Sequence, residues 1–282
     1  METPMHYVKI IPPSDLLKEF VRYFMLFRSN IPNDLKPIEF PLPPSPENFL
    51  CFYVENAAEL YNSISKSKEK QSNSVIVGPN DKLFQIKLPH RTFLIRVILQ
   101  QGVLSRILKM PLTELIDIDT FDSNYILPDM RKVNDRLSFD LSDMEAIGVI
   151  ENYLNEKFQK ASKPLAIDTA LNQLIQFEGR IRVDDLAKIS NLSNRQLERQ
   201  CLYRTGYTPK YIARMVRFVK AWNLKEKYPE LSWTNVAYQC DYSDQAHLIK
   251  DFKQFSGINP KQAQFHFNNL PLDLQNDLLF ER

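Results

Sequence analysis

The chain has 282 residues, of which 44% are hydrophobic and 25% are charged, and its formal net charge is +2. This composition is that of an ordinary globular protein, and the length is enough for two domains with separate cores. Three isolated cysteines and four scattered histidines argue against disulfides, structural zinc and any other cofactor. The sequence shows no basic-then-apolar leader and no apolar run of membrane-spanning length, so we expect a cytoplasmic protein without a membrane partner.

The first hundred residues predict a β-rich region. Apolar runs typical of strands cover Tyr7–Ile11, Phe20–Phe27, Phe49–Val54, Val75–Val77, Leu83–Leu88 and Phe93–Leu99. Two segments between them, the proline-rich NIPNDLKPIEFPLPPSPEN and the polar NSISKSKEKQSNS, are expected to be surface loops. Nine aromatic residues of this region are either barrel core or the lining of an effector pocket: Tyr7, Phe20, Tyr23, Phe24, Phe27, Phe52, Tyr53, Phe84 and Phe93.

The apolar spacing becomes helical from Val103 onward. The run GVLSRILKMPLTELIDI predicts short helices divided by Pro111. A longer helix is expected from about Ser142 to Lys160. Its apolar residues are Met144, Ile147, Ile150, Leu154 and Phe158. This helix either packs on its own sheet or pairs with its copy in a homodimer, and the sequence favours neither.

The last third of the chain contains the same pattern twice. The first copy is DLAKISNLSNRQLERQCLYRTGYTPKY, and the second is NVAYQCDYSDQAHLIKDFKQFSGINPKQ. Each predicts a short helix, a tight turn, and a second helix that ends at Gly206 or Gly257, with Pro209 or Pro260 three residues later. Two helices joined in this way form a helix-turn-helix, a unit that reads DNA.

Local signals support both copies. Ser193 and Ser243 are suitable N-caps for the second helix of each unit. Asn191 and Asp241 stand where the turn needs a residue that tolerates a positive φ. The second copy has one extra residue between its serine and its glycine, so we expect its register to shift within the helix.

The span from about Ala166 to Phe267 resembles the DNA-binding domain of the AraC/XylS family of bacterial transcription regulators. The two repeated units, the helix between them and the terminal FKQFSGINPKQ carry this resemblance. The family commonly has glycine where Asn191 and Asp241 stand, and a large apolar residue where Cys201 stands. The segments YVKIIPPSDLLKEFVRYFMLF, SVIVGPNDKLFQIKL and GVLSRILKMPLTELIDI resemble a β-rich N-terminal domain found in one branch of the same family.

These resemblances imply an α+β chain with two folded parts. We expect a barrel-like β-rich N-terminal domain with attached helices, and an all-α C-terminal domain of two helix-turn-helix units joined by a long helix. The expected division is residues 1–135 for sensing or dimerisation, 136–164 for a helix and linker, 165–268 for DNA binding, and 269–282 for a C-terminal tail. The implied partners are promoter or operator DNA, a small-molecule effector, a second copy of the chain, and RNA polymerase if the protein is an activator.

Charge and length agree with contact to DNA at the C-terminal end. Residues 164–268 contain 15 Lys and Arg against 10 Asp and Glu, an excess of positive charge. The joining helix is expected from Pro209 to Lys227 and should span ~28 Å at ~1.5 Å per residue. The major groove recurs on one face of DNA every ~34 Å. One monomer can therefore enter two successive grooves if the duplex bends modestly.

Seven residues match the family's base-reading positions: Arg195, Glu198, Arg199, Gln245, Ala246, His247 and Ile249. Arginine suits guanine, a carboxylate accepts from cytosine, glutamine suits adenine, and alanine suits the thymine methyl group. Two alternatives remain open: Glu198 orients a neighbouring arginine by an intrahelical ion pair, and His247 is only a polar surface residue. Phosphate contacts are expected from Ser193, Arg204, Lys210, Arg214, Ser243, Lys250 and Lys261.

Two other functions are weighed against a transcription regulator, for which no catalytic residue is expected. An enzyme fused to a DNA-targeting tail would need an activated thiolate, and Cys51 stands in the apolar run FLCFYV, where burial makes a thiol inert. A general nucleoid protein would bind DNA with little regard to sequence. A regulator should instead prefer its own promoter by at least ~10³.

Overall fold

The computed structural model describes residues 5–62, 66–78, 80–116, 118, 120–127, 129–159 and 161–269. Its N-terminal part contains two antiparallel sheets, and its C-terminal part is helical, so the predicted α+β fold is confirmed. Most of the predicted tail, residues 270–282, lies outside the described residues.

The larger sheet has six strands in the order β1-β2-β9-β4-β7-β10. They are β1 Met5–Ile11, β2 Val21–Asn30, β4 Phe49–Tyr53, β7 Ser74–Val77, β9 Arg91–Leu99 and β10 Phe121–Asp122. Strand β9 lies centrally and pairs with both β2 and β4. Because the neighbouring side chains alternate between the two faces, both faces can bury apolar residues.

The smaller sheet has four strands in the order β3-β8-β5-β6. They are β3 Glu39–Leu42, β5 Glu59–Asn62, β6 Lys68–Lys70 and β8 Phe84–Lys87. Three of them are absent from the sequence prediction: β3 lies within the proline-rich segment, and β5 pairs with the lysine-rich β6 of the polar segment. The expectation of two plain loops was therefore wrong. These strands escape a search for apolar runs because they are short and one is wholly exposed.

The N-terminal domain has one core on each face of the larger sheet. Between the two sheets lie Phe27, Cys51 and Leu94 with their neighbours. The other face packs against helices, and its core includes Phe24, Phe52 and Phe93. Of the nine predicted aromatic residues, Tyr23, Tyr53 and Phe84 line a cavity between the sheets. The core alternative is thus confirmed for Phe24, Phe27, Phe52 and Phe93, and the effector-pocket alternative stays a prediction for the three that line the cavity.

Helices cover the outer face of the larger sheet. They are α1 Val103–Leu108, α2 Met130–Asn134 and α3 Asp143–Phe158, with 3-10 turns at Leu112–Leu115 and Ser123–Tyr125. Helix α3 begins at a capping box formed by Ser142 and Glu145. Its apolar face, with Ile147, Ile150 and Leu154, is buried on the sheet. This agrees with the alternative in which the helix packs on its own domain, although Met144 is exposed rather than part of that face.

Seven helices form the described part of the C-terminal domain: α4 Ala166–Gln176, α5 Val183–Ile189, α6 Asn194–Thr205, α7 Pro209–Lys227, α8 Trp233–Gln239, α9 Gln245–Ser256 and α10 Pro260–Asn269. One continuous apolar core joins them. Trp222 of α7 is fully buried at its centre and stacks on Phe252 of α9, with ring centroids 6.1 Å apart.

The N-terminal domain is in contact with α4, α7 and the core of the C-terminal domain. Leu83, from the loop before β8, is buried in the C-terminal core. The Tyr211 hydroxyl donates to Asp81 at 2.7 Å, and the Gln101 backbone N–H donates to Asn172 at 2.9 Å. The joining helix α7 also approaches the N-terminal domain, because Val219 and Asn223 form part of the wall of the cavity between the sheets.

Candidate DNA-binding surface

The first helix-turn-helix consists of α5 and α6, and its turn has the backbone geometry that the sequence predicts. Asn191 has φ +50°. Ser193 caps α6, and its hydroxyl accepts from the Gln196 backbone N–H while the Gln196 side chain accepts from the Ser193 backbone N–H. The Asn194 side chain donates to Asp184 of α5 at 2.9 Å, which fixes the second helix against the first.

The second helix-turn-helix consists of α8 and α9, and Asp241 in its turn has φ +59°. The N-cap of α9 is Asp244, which accepts from the His247 backbone N–H, and not Ser243. A carboxylate one residue nearer the helix competes successfully with the serine hydroxyl for that N–H group.

The extra residue of the second copy therefore lies in the turn. The expectation that the register shifts within the helix was wrong, because α6 and α9 each have 12 residues and each ends at a glycine in the left-handed region. When the two helices are superposed in sequence, Arg195 corresponds to Ala246, Glu198 to Ile249, and Arg199 to Lys250.

Helix α7 holds the two units at a fixed spacing. Its Phe218 packs edge-on against Phe252, with ring centroids 4.9 Å apart. On another side, Lys220 lies 2.8 Å from Glu178 and 3.9 Å from Asp241, so it joins the loop before α5 to the turn before α9. Buried aromatic packing and these ion pairs together oppose independent movement of the two units.

The exposed face of α6 carries Arg195, Glu198 and Arg199. In the part of the chain that the structure describes, none of the three forms an ion pair or a side-chain hydrogen bond. The alternative in which Glu198 orients an arginine is therefore not observed. All three side chains are free to meet base edges.

The exposed face of α9 is less polar. Gln245 and Ala246 are exposed and Ile249 is half-buried. The Gln245 side chain lies 3.3 Å from the Thr234 hydroxyl of α8. His247 is held on the domain by a 3.2 Å contact with Ser243 and an edge-to-face contact with Tyr242. These contacts orient His247 at the rim of the surface.

Three of the predicted phosphate contacts are exposed lysines: Lys210, Lys250 and Lys261. They are at the start of α7, on α9 and at the start of α10. No ion pair involving any of them is found among the described residues. Ser193 and Ser243 are exposed at the start of the two recognition helices, where backbone N–H groups also suit phosphate.

Two other predicted phosphate contacts are paired with acids of the same domain, and of these Arg204 is buried and Arg214 is half-buried. Arg204 is only 7% exposed, lies 3.1 Å from Asp168 of α4, and donates to Ser105 of α1 at 3.1 Å. Arg214 donates to the buried Asp251 at 2.6 Å and to Gln254 at 2.5 Å. A carboxylate buried without a partner is costly, so each arginine is committed to its acid. The sequence alone does not distinguish these two arginines from the exposed cations, because the acid that pairs with each of them is 36 or 37 residues away along the chain.

One exposed residue that the sequence analysis missed belongs to this surface. Tyr238 of α8 is 85% exposed. When the two repeats are aligned, it occupies the position that Lys188 occupies in α5. In helix-turn-helix proteins the first helix crosses the DNA backbone, so an exposed hydroxyl or ammonium group there can reach a phosphate. The alignment of the two repeats supplies the signal that could have found it.

Sequence comparisons agree with this arrangement. Residues 186–264 match the family described as a helix-turn-helix domain, and residues 9–120 match a domain of unknown function, DUF6597. The HTH-type transcriptional activator RhaS of Enterobacter sp. (strain 638) is 30% identical over 102 residues, which are 34% of this chain and 36% of RhaS. RhaS of Escherichia coli O139:H28 (strain E24377A / ETEC) is 33% identical over 88 residues, 31% of each chain. The chain thus spans about a third of the length of these curated relatives.

A helix-turn-helix domain is therefore shown for residues 186–264, and the relatives that this region matches are HTH-type transcriptional activators. Among solved structures, ToxT from Vibrio cholerae O395 is 13% identical to this chain with a TM-score of 0.44, over 96% of this chain and 100% of ToxT. The DNA-binding domain of AdpA, solved in complex with a target DNA, is 18% identical with a TM-score of 0.34, over 37% of this chain and 95% of that domain.

The three cysteines of the chain, Cys51, Cys201 and Cys240, are all buried. Burial raises the pKa of the Cys51 thiol, and the nearby Arg96 offsets this only in part. Burial also raises the pKa of Cys201 to about 12. Thiols with raised pKa values are poor nucleophiles. Cys51 therefore lacks the properties that an enzyme built on an activated thiolate requires. None of the helices in the described ranges is long and apolar enough to cross a membrane.

Proposed function

We propose that this protein is a sequence-specific, DNA-binding transcription regulator that inserts α6 and α9 into two successive major grooves. The observation that carries this proposal is a pair of recognition helices of equal length whose N-terminal faces are exposed, while their other faces share one core with α7. An arrangement held together in this way presents two probes to one side of a duplex.

The N-terminal domain leaves the reading face of α6 open. Its contacts reach Arg204 and Gly206 at the C-terminal end of α6, whereas Arg195 and Arg199 stand one to two turns away and are exposed. We therefore propose that the N-terminal domain senses a small molecule and transmits its state through the back of the first unit. If the protein activates transcription, as the name of RhaS states for that relative, RNA polymerase is a further partner.

A footprint of the full chain on DNA selected from a random pool tests this proposal. We expect two protected segments on one face of the duplex, about one helical turn apart, and a preference over scrambled DNA of at least ~10³. Protection of a single groove segment would contradict insertion of both helices. Equal affinity for selected and scrambled DNA would indicate the general nucleoid protein instead.

A further inference from the structure

The two sheets of the N-terminal domain enclose a cavity of about 190 Å³. Its walls are largely apolar and aromatic, with Tyr23, Phe49, Tyr53 and Phe84 among them. An apolar cavity of ~150 Å³ is large enough to hold benzene. The volume therefore suits a molecule with one ring or a short branched chain and one small substituent.

A cationic side chain enters this cavity from the central strand of the larger sheet. Arg96 lies between Leu94 and Ile98 on the face of β9 that points toward the smaller sheet. Its neighbours on the adjacent strands are Met25 and Cys51, both buried. The sequence therefore places a guanidinium where this face otherwise carries apolar residues.

Arg96 has no carboxylate partner within the described ranges of the chain. Its Nε has no hydrogen-bond partner, and its Cζ lies 5.0 Å from the centroid of the Phe49 ring. Glu47 also lines the cavity, but its carboxylate lies 3.2 Å from Arg22. The Arg96 side chain is half-buried and interacts with the Cys51 thiol, whose pKa is raised by burial, so that thiol does not supply a negative charge. A partly desolvated cation gains free energy from an anion that compensates for its lost hydration.

A buried amide lies on the wall of the same cavity. Gln71 is 5% exposed, and neither atom of its side-chain amide has a hydrogen-bond partner. On the side formed by α7, the Asn223 side-chain oxygen is also buried without a partner. Buried polar groups are almost always paired, so these amide groups can pair with a polar ligand in the cavity.

We propose that this cavity binds a small carboxylate with an apolar body of about one ring, whose carboxylate pairs with Arg96 and accepts a hydrogen bond from the Gln71 amide. Guanidinium and carboxylate groups form paired, charge-assisted hydrogen bonds, and the aromatic walls suit the apolar body. The inference names a ligand class for the sensing role proposed above and rests on that role. The negative charge of the ligand then lies beside strand β9, which carries Arg96.

Calorimetric titration of the full chain tests the proposal with two pairs of matched probes. The pairs are phenylacetate with phenylacetamide, and isovalerate with isovaleramide, at constant pH and ionic strength. We expect at least one carboxylate to bind at least tenfold more tightly than its own amide. The Arg96→Met variant should lose at least tenfold in affinity for that carboxylate, whereas Arg91→Met should not. Arg91 is on the same strand but is exposed and paired with Glu55.

Equal affinity for carboxylate and amide, undiminished binding by Arg96→Met, or no binding of either carboxylate at millimolar concentration would each overturn the proposal. The unliganded Tm of Arg96→Met should equal or exceed that of the wild type, because the variant removes a half-buried charge that has no carboxylate partner among the described residues. A gel shift on the selected DNA is measured with the same samples. If the wild type binds the selected DNA but neither carboxylate, only the ligand class is refuted. If the wild type binds a carboxylate as expected but not the DNA, only the regulator is refuted.

Discussion

Charged side chains of the C-terminal domain divide into two groups that differ in burial. Arg204 and Arg214 are paired with the buried acids Asp168 and Asp251, while Arg199 and Lys210 are exposed. Asp168 is sufficiently enclosed that burial raises its pKa, with Arg204 and Arg106 acting in the opposite direction. An arginine or lysine of this domain is therefore available to DNA only where it is not paired with a buried carboxylate.

Replacement of Arg199 and of Lys210 should separate base reading from phosphate contact. Arg199→Ala should cost about 1–3 kcal/mol on the target site and relax the choice of base at one position. Lys210→Ala should weaken all sequences alike and reduce the slope of log affinity against log salt by about one. Gel shifts on specific and random DNA over a salt series measure both effects. An even loss on both DNAs for both variants would show that these roles are wrongly assigned.

A buried acid in the joining helix should make stability depend on pH. Burial raises the pKa of Glu226 to about 8 from an ordinary value of 4.5. Since the folded state favours the protonated form, this contribution to stability is complete below about pH 4.5 and is lost as the pH rises to about 8. At ~1.4 kcal/mol per pKa unit the loss at pH 7 is about 3 kcal/mol.

Glu226→Gln keeps the shape of the protonated acid and removes its titration. We expect the free energy of unfolding to rise by about 3 kcal/mol at pH 7 and by less than about 1 kcal/mol at pH 5. Urea unfolding at the two pH values measures the difference. The exposed Glu230 in the following turn is the matched control, and its Gln variant should show no such pH dependence. A gain that is equal at both pH values would contradict the explanation.

At the level of elements, each turn depends on one residue in the left-handed region. Asn191 is exposed and has φ +50°. Asn191→Gly should therefore leave stability nearly unchanged, whereas Asn191→Val should cost about 1–2 kcal/mol. Chemical denaturation of the two variants decides the point. Equal loss in both would mean that the side chain of Asn191, and not its backbone, stabilises the turn.

How far the sequence predicts an element depends on where its determinants lie. Helices α6 and α7 are predicted closely, because their caps and apolar spacing are local. Strands β3, β5 and β6 are not, because a partner distant in sequence determines their pairing. The same distinction applies to the site: exposed Arg195 and Arg199 follow from helical periodicity, whereas the burial of Arg204 against Ser105, 99 residues away, has no local signal.

At the scale of the whole molecule, Gly206 and Gly257 offer a matched test of the contact between domains. Both end a recognition helix with positive φ. A Cβ at Gly206 would lie 3.0 Å from Ile116 and 3.2 Å from the Leu112 carbonyl oxygen, whereas nothing lies within 4 Å of one at Gly257. Both alanine variants should lose about 1–2 kcal/mol for the backbone. Only Gly206→Ala should lose more stability than this, and only in that variant should amide hydrogen exchange at Leu112–Leu115 become faster. Equal losses would show that the domains separate freely.

The longer turn before α9 has a consequence for the operator. The turn before α9 is one residue longer than the turn before α6. The two recognition helices also present different side chains, with Arg, Glu and Arg on α6 where α9 has Ala, Ile and Lys. A single subunit therefore has no internal symmetry. We therefore expect it to recognise an asymmetric sequence with a defined polarity. Inverting such an operator in place should reverse the side on which the N-terminal domain sits relative to the gene.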